Sequence, residues 1–254
     1  MKQYKTLLNL TILLASSAVI SSYAQADQTQ AEREKLAEKT EVWEPVPASV
    51  STPVGKAPSD AIVLFSGDDL SAWDALKGGD AKWSVAGDVL TVNPGAGDIK
   101  TKQNFCDVQL HMEWRTPTQV EGMKGQQRNN SGVFFQQRYE VQVLDSYDNP
   151  TYPNGQAGSV YKQTIPLANA MRPAGEWQYY DIIYTAPRFE GKELTQPGYV
   201  TVMHNGVLLQ NHTEIQGKTE WIGAPSYEAH GCAPLQLQDH GNLVSFRNIW
   251  VREL

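Results

Sequence analysis

The stretch NNSGVFFQQRYEVQVLDSY, residues 129–147, decides the fold class. Within it Val133, Phe135, Tyr139, Val141 and Val143 share one parity, while Gln136, Arg138, Glu140 and Gln142 share the other. An apolar residue at every second position is the repeat of a β-strand with one buried face. The same alternation recurs outward. Cys106, Val108, Leu110, Met112 and Trp114 alternate with Asp107, Gln109, His111, Glu113 and Arg115; Leu235 and Leu237 alternate with Gln236, Gln238 and His240. Residues 199–209 (YVTVMHNGVLL) carry Asn205-Gly206 between two apolar runs, the signal of a type I′ hairpin. From Ile62 onward, short β-branched or aromatic runs are punctuated by Gly, Pro, Asn and Asp turns, and no convincing amphipathic helix competes with them. This pattern predicts an all-β, two-sheet sandwich or barrel.

Upstream of Ile62 the character differs. Residues 1–24 (MKQYKTLLNLTILLASSAVISSYA) combine Lys2 and Lys5 with an apolar run and a small-x-small cleavage site, the plan of a Sec-type signal peptide. The apolar run is short for a membrane span. The chain is therefore expected to be exported, to a periplasm or the medium, with no membrane span after cleavage. Residues 25–59 are predicted to be a tether: 27–42 are charged and helix-compatible, and 43–59 hold four Pro. The folded domain is expected over residues 60–254.

Composition narrows the function. The 254 residues carry 21 Lys+Arg against 28 Asp+Glu, a formal charge of −7; loss of Lys2 and Lys5 makes it −9. An acidic chain without a basic block argues against nucleic acid and anionic membranes as partners. Two cysteines exclude a dense disulfide scaffold. Cys106 and Cys232 fit a disulfide, which export permits, and Cys106 fits a buried free thiol equally well. The polar faces of the alternating strands hold Gln, Arg, His, Asn and Glu, side chains that make several directed hydrogen bonds. Such a face suits a carbohydrate; the competing expectation is a solvated outer face. Of the tryptophans, Trp83, Trp114, Trp177 and Trp250 read mainly as core, and Trp221, in the loop-like KTEWIGAP, as a platform for a sugar ring.

The motifs carry a resemblance. LFSGDDLSAW (64–73) resembles the LFNGKDLSGW opening of the 3-keto-disaccharide hydrolase domain family. Six more segments follow in that family's order: DIKTKQNFCDVQLHMEWR (98–115), NNSGVFFQQRYEVQVLDSY (129–147), GSVYKQTIP (158–166), GEWQYYDIIYTAPRF (175–189), VTVMHNGVLLQNHTEIQG (200–217) and LQLQDHGNLVSFRNIWVREL (235–254). The resemblance implies a concanavalin A-like jelly roll and cleavage of sugars whose 3-hydroxyl is oxidised to a ketone. The sequence departs from the family at Cys106 and in an insertion, TPTQVEGMKGQQR, between Arg115 and Asn129, which is expected to shape one end of a groove.

A 3-keto group acidifies the C2 proton, so a base can remove it and the C1 substituent can leave; water addition completes a net hydrolysis. The route needs a base, an acid for the leaving oxygen and a partner for the enolate. Glu140 is the first catalytic candidate. His240, at a strand end before Gly241, is the second, as base or metal ligand. Arg138 is expected to orient Glu140 or donate to the ketone. Gln136, Gln142, Asp145, Gln238, Glu113 and Trp221 complete the set as substrate-binding candidates, with Asp145 off-parity and Glu113 better suited to a structural pair with Arg115. A divalent metal on His111, Glu113, Glu140, His230 or His240 stays open as a cofactor, without ligand spacing to support it. The competing functions are a non-catalytic carbohydrate-binding module and a two-carboxylate glycosidase.

Overall fold

A computed structural model describes residues 29–67 and 69–254; the signal peptide expected over 1–24 lies outside the described residues. Residues 29–49 form a unit of their own, built on one helix, Gln30–Glu38. Thr29 caps it: its hydroxyl accepts from the Glu32 amide while the Glu32 carboxylate accepts from the Thr29 amide, so both orphan donors are met. No side chain of this helix is buried. None of the described helices is long and apolar enough to cross a membrane.

Residues 50–254 form the second unit, an antiparallel β-sandwich of jelly-roll type. In chain order its strands are β1 Ile62–Phe65, β2 Trp73–Ala75, β3 Ser84–Ala86, β4 Val89–Thr91, β5 Ile99–Thr101, β6 Val108–Arg115, β7 Asn130–Phe135 and β8 Tyr139–Leu144. There follow β9 Gln178–Thr185, β10 Arg188–Glu190, β11 Glu193–Gln196, β12 Tyr199–His204, β13 Val207–Glu214, β14 Gln236–Leu237 and β15 Ser245–Glu253. One sheet runs β13-β12-β9-β6-β15-β4-β3, with β1 on β15; the other runs β2-β5-β14-β7-β8; β10 and β11 make a separate hairpin.

The period-2 pattern places the core. Val108, Leu110, Met112 and Trp114 of β6 are buried, as are Tyr180, Ile182 and Tyr184 of β9, and they face Val133, Phe135, Val141 and Val143 of the second sheet. Two tyrosines bolt the sheets together by donating across the core: Tyr180 to the Gln142 carbonyl at 2.8 Å and Tyr184 to Gln136 Oε1 at 2.8 Å. Asn205 and Gly206, with φ of 52° and 80°, turn β12 into β13 as the dipeptide predicts. Cys106 and Cys232 form a disulfide that closes a separation of 126 residues, which resolves the alternative left open by the sequence. In the chain-entropy account a loop of that length is worth about 4–5 kcal/mol against the unfolded state.

The alternation across residues 133–143 is a hairpin rather than one strand. Gln136 and Gln137 adopt φ of 52° and 58°, and β7 and β8 pair Phe135 with Tyr139. That pair is an even number of residues apart, so parity survives the turn: Glu140 and Gln142 still point away from the core. Gln136 and Arg138, however, belong to the turn.

Candidate active site

The outer face of the five-stranded sheet carries a cleft of about 440 Å³. Its floor comes from β7 and β8, where Asn130, Phe134, Glu140 and Gln142 project opposite to the core residues. One flank comes from the segment after β14, with Gln238 and His240. The other comes from chain beyond the β8 edge, with Tyr152, Tyr161, Thr219 and Trp221. Val160 bridges Val141, so Tyr161 stands beside Glu140, its amide donating to the Glu140 carbonyl at 3.1 Å.

Glu140 is the singular group here. It is only 5% exposed, and its side chain lies across Gly132 on the neighbouring strand. A Cβ at Gly132 would come within 2.5 Å of Glu140 Oε1, so this glycine keeps the carboxyl's berth open. No described residue hydrogen-bonds the carboxyl; the Glu140 amide is held by Thr219 Oγ1 at 2.9 Å. Burial, and after it the negative charge of Asp98, push the carboxyl up to about 8. At neutral pH it is therefore mostly a neutral acid.

Around it lies a set of half-spent amides. Gln142 Nε2 donates to Gln126 Oε1 at 2.9 Å and Asn130 Nδ2 to the Gln126 carbonyl at 2.8 Å, while Gln126 Nε2 donates to Gly155 O and Thr151 Oγ1. The oxygens of Asn130, Gln142 and Gln238 have no donor among the described residues. Buried acceptors without partners are rare, and in a cleft they mark where a ligand's hydroxyls go. The aromatic flank is braced: Tyr152 and Tyr161 share a hydroxyl–hydroxyl bond of 2.7 Å, and Lys162 Nζ donates to the Trp221 carbonyl at 2.7 Å. Burial first, then the bond to Tyr152, raises the Tyr161 hydroxyl above its ordinary value.

A family model described as 3-keto-alpha-glucoside-1,2-lyase-like domain matches residues 60–252. The chain belongs to that family. A proposed glycosyl hydrolase from Parabacteroides distasonis, of known crystal structure, is 57% identical, with 85% of this chain and 96% of that one covered and a TM-score of 0.82. Two further proposed glycosyl hydrolases from the same organism, 24% and 20% identical with TM-scores of 0.57 and 0.55, share the fold; they cover 77% and 76% of this chain and 94% and 99% of their own. No curated protein sequence matches. The family description and these relatives place the lyase-like domain among carbohydrate-acting, hydrolase-like proteins.

The lyase-like domain gathers Glu140, His240, Gln142, Gln238 and Trp221 at one cleft. Trp221 is 70% exposed at its mouth. The insertion contributes Gln126 and Gln127 to the cleft wall. Four candidates lie elsewhere. Gln136 turns inward at the left-handed corner, where Nε2 donates to the Phe105 carbonyl beside the disulfide. Arg138 donates back to the Gln136 carbonyl at 2.8 Å and does not reach Glu140. Asp145, fully buried, pairs with Arg128 Nε at 2.9 Å and accepts from the Tyr147 amide, a turn-holding role. Glu113 sits on the outer face of the other sheet, bonded to Arg247 Nε at 2.7 Å and Asn248 Nδ2 at 3.0 Å. Nor do the metal candidates converge: among the described residues no three His, Cys, Asp or Glu side chains cluster to hold an ion.

Two residues that sequence reasoning passes over matter here. Tyr161 lies in the family-like GSVYKQTIP but on no alternating strand. Asp98 precedes β5 on the same outer face; its carboxylate accepts from Gln236 Nε2 at 2.7 Å and the Asp239 amide at 2.9 Å. It thereby anchors the Gln238–His240 flank. Burial dominates the upward shift of its own carboxyl.

Proposed function

We propose that this protein is an exported enzyme that cleaves 3-keto-glycosides, 3-keto-disaccharides among them, by elimination across C1–C2 followed by hydration. One observation carries the proposal: a buried carboxyl, neutral at physiological pH, set in the floor of a cleft lined with unpartnered amide oxygens. A base takes the C2 proton, and the C–H electron pair passes into an enolate with the C3 carbonyl. That pair returns to form C1=C2 as the C1–O bond breaks, and the leaving oxygen accepts a proton. Water then adds hydroxyl to C1 and hydrogen to C2.

Glu140 serves as the acid for the leaving oxygen, because a carboxyl that keeps its proton near pH 7 has one to give. His240, exposed at the rim, serves as the base. The oxygens of Asn130, Gln142 and Gln238 accept from the hydroxyls of the sugar, and Trp221 stacks on a ring. A lectin-like groove calls for no perturbed carboxyl. A two-carboxylate glycosidase calls for a second free carboxylate across the sugar, and Asp98, the acid that acts on Glu140, is engaged by Gln236 and Asp239.

The test incubates the purified protein with a 3-keto-disaccharide and, in parallel, its unoxidised parent, with and without EDTA. Sugar release from the keto compound alone is expected, and that release is expected to be lost in Glu140→Gln. Sensitivity to EDTA adds a metal to the mechanism. Cleavage of the parent moves the protein to the two-carboxylate class, and binding without turnover of either overturns the enzyme assignment.

A further inference from the structure

The opposite face of the sandwich holds a second cavity, of about 320 Å³, that shares no residue with the cleft. Three of its lining residues form one row across three strands of the eight-stranded sheet: Thr91 of β4 pairs with Ser245 of β15, which pairs with Arg115 of β6. The start of the insertion, Thr116–Gln119, and Gly175 close its rim.

Arg115 sets its chemistry. Its guanidinium lies 4.6 Å from the ring centre of Trp177, and Arg247 lies 4.1 Å from the same ring. The two arginines differ in their partners. Arg247 is bonded to Glu113 and lies 4.0 Å from Asp88. Arg115 has no carboxylate or other acceptor among the described residues, so its planar fork of donors is held in place by stacking and left unspent. Beside it Thr116 is 1% exposed, and its hydroxyl has no partner among the described residues. Thr91 and Ser245 use one hydrogen bond on each other, at 3.0 Å, and keep further capacity.

We propose that this cavity is a second binding site, for a monosaccharide unit that carries a carboxylate, such as a uronate. The Arg115 fork takes the planar carboxylate through two parallel N–H···O bonds, which a neutral sugar cannot offer. The hydroxyls of Thr91, Thr116 and Ser245 take the ring hydroxyls. The volume lies at the small end of the range for ligand pockets and accommodates a single sugar unit. The site is separate from the reaction and does not depend on the proposed activity.

Calorimetric titration of the purified protein with D-glucuronate, D-glucose and acetate tests this. Glucuronate is expected to bind saturably and more tightly than either comparison ligand. Arg115→Gln weakens it tenfold or more; Arg115→Lys, which keeps the charge and the packing on Trp177 but loses the fork, also weakens it severalfold and serves if the first variant folds poorly. Glu140→Gln leaves glucuronate binding unchanged, which separates this cavity from the cleft. Absence of saturable glucuronate binding, equal binding of acetate, or glucuronate binding indifferent to both Arg115 variants overturns the proposal.

Discussion

The two outer faces of the sandwich carry the same kinds of side chain and use them in opposite ways. On the eight-stranded sheet the polar residues are mostly spent on one another: His111 on Asp181 at 2.7 Å, Glu113 on Arg247, and Arg252 on Asp60 and Gln109. On the five-stranded sheet Glu140 has no partner for its carboxyl among the described residues, and there Asn130, Gln142 and Gln238 each keep an idle oxygen. Paired polar groups support a sheet; unpaired, buried ones are costly to a fold and are retained where a ligand completes them. The difference between support and site therefore lies in bookkeeping of donors and acceptors, which residue type alone does not disclose.

The largest break in that comparison comes from Glu140→Gln. Turnover of a 3-keto-disaccharide is expected to fall by about 10² to 10⁴, the usual loss when an acid–base group is removed. Stability moves the other way. A carboxyl raised from 4.5 to about 8 favours the fold fully below pH 4.5, and that contribution is lost as pH rises through 8. Glutamine has no such loss, so thermal unfolding at pH 8 should show the variant more stable than the parent, on the order of a few kcal/mol, with no difference near pH 4. A difference between variant and parent that is the same at both pH values would mean that Glu140 titrates like an exposed acid.

Next in size is Gly132→Ala. Its new methyl would meet Glu140 Oε1 and Cδ at 2.5 and 3.1 Å, so the carboxyl must leave its berth while the strand, extended at this position, accepts alanine. A tenfold or greater loss of kcat with an intact far-ultraviolet spectrum is expected. Unchanged kcat would show that the berth does not matter. Asp98→Asn acts more gently. Asp98 raises the Glu140 carboxyl by charge alone, second to burial, so the neutral amide lets that carboxyl fall part of the way back. The alkaline limb of the pH–rate profile should move to lower pH; a limb that stays in place would assign it to another group.

Much of this was open to inspection in the chain. The alternation over 106–115 and the Asn205-Gly206 turn follow from local sterics, and both stand as read. Glu140 is found by parity, and parity survives only because Phe135 and Tyr139 pair across an even offset. The same argument fails for Gln136 and Arg138, since left-handed φ at two glutamines is no part of a glutamine's signature. Asp98 is hidden, and the Cys106–Cys232 bond left undecided, for a different reason. Asp98 reaches Gln236 across 138 residues, and the cysteines are 126 apart; strand order creates these contacts, and strand order is not a local property. Trp221 and Tyr161 stand between these cases: loop residues whose flank becomes evident only when the β8 edge is seen.

The smallest expected effect is on the supporting face. Glu113 and Arg247 are 17% and 32% exposed, so their ion pair works in a partly wet setting, where such pairs contribute about 1 kcal/mol or less. Removing the Glu113 charge by Glu113→Gln leaves Arg247 near Asp88 and over the Trp177 ring, which hold it in place. A glutamine oxygen still accepts from Asn248. Unfolding in urea should therefore shift by about 1 kcal/mol at most, and turnover at the cleft should match the parent, because the two faces are separated by a packed core that the substitution does not touch. A drop in turnover without a drop in stability would mean that the faces communicate through the sandwich, and the division between support and site would have to be redrawn at β6.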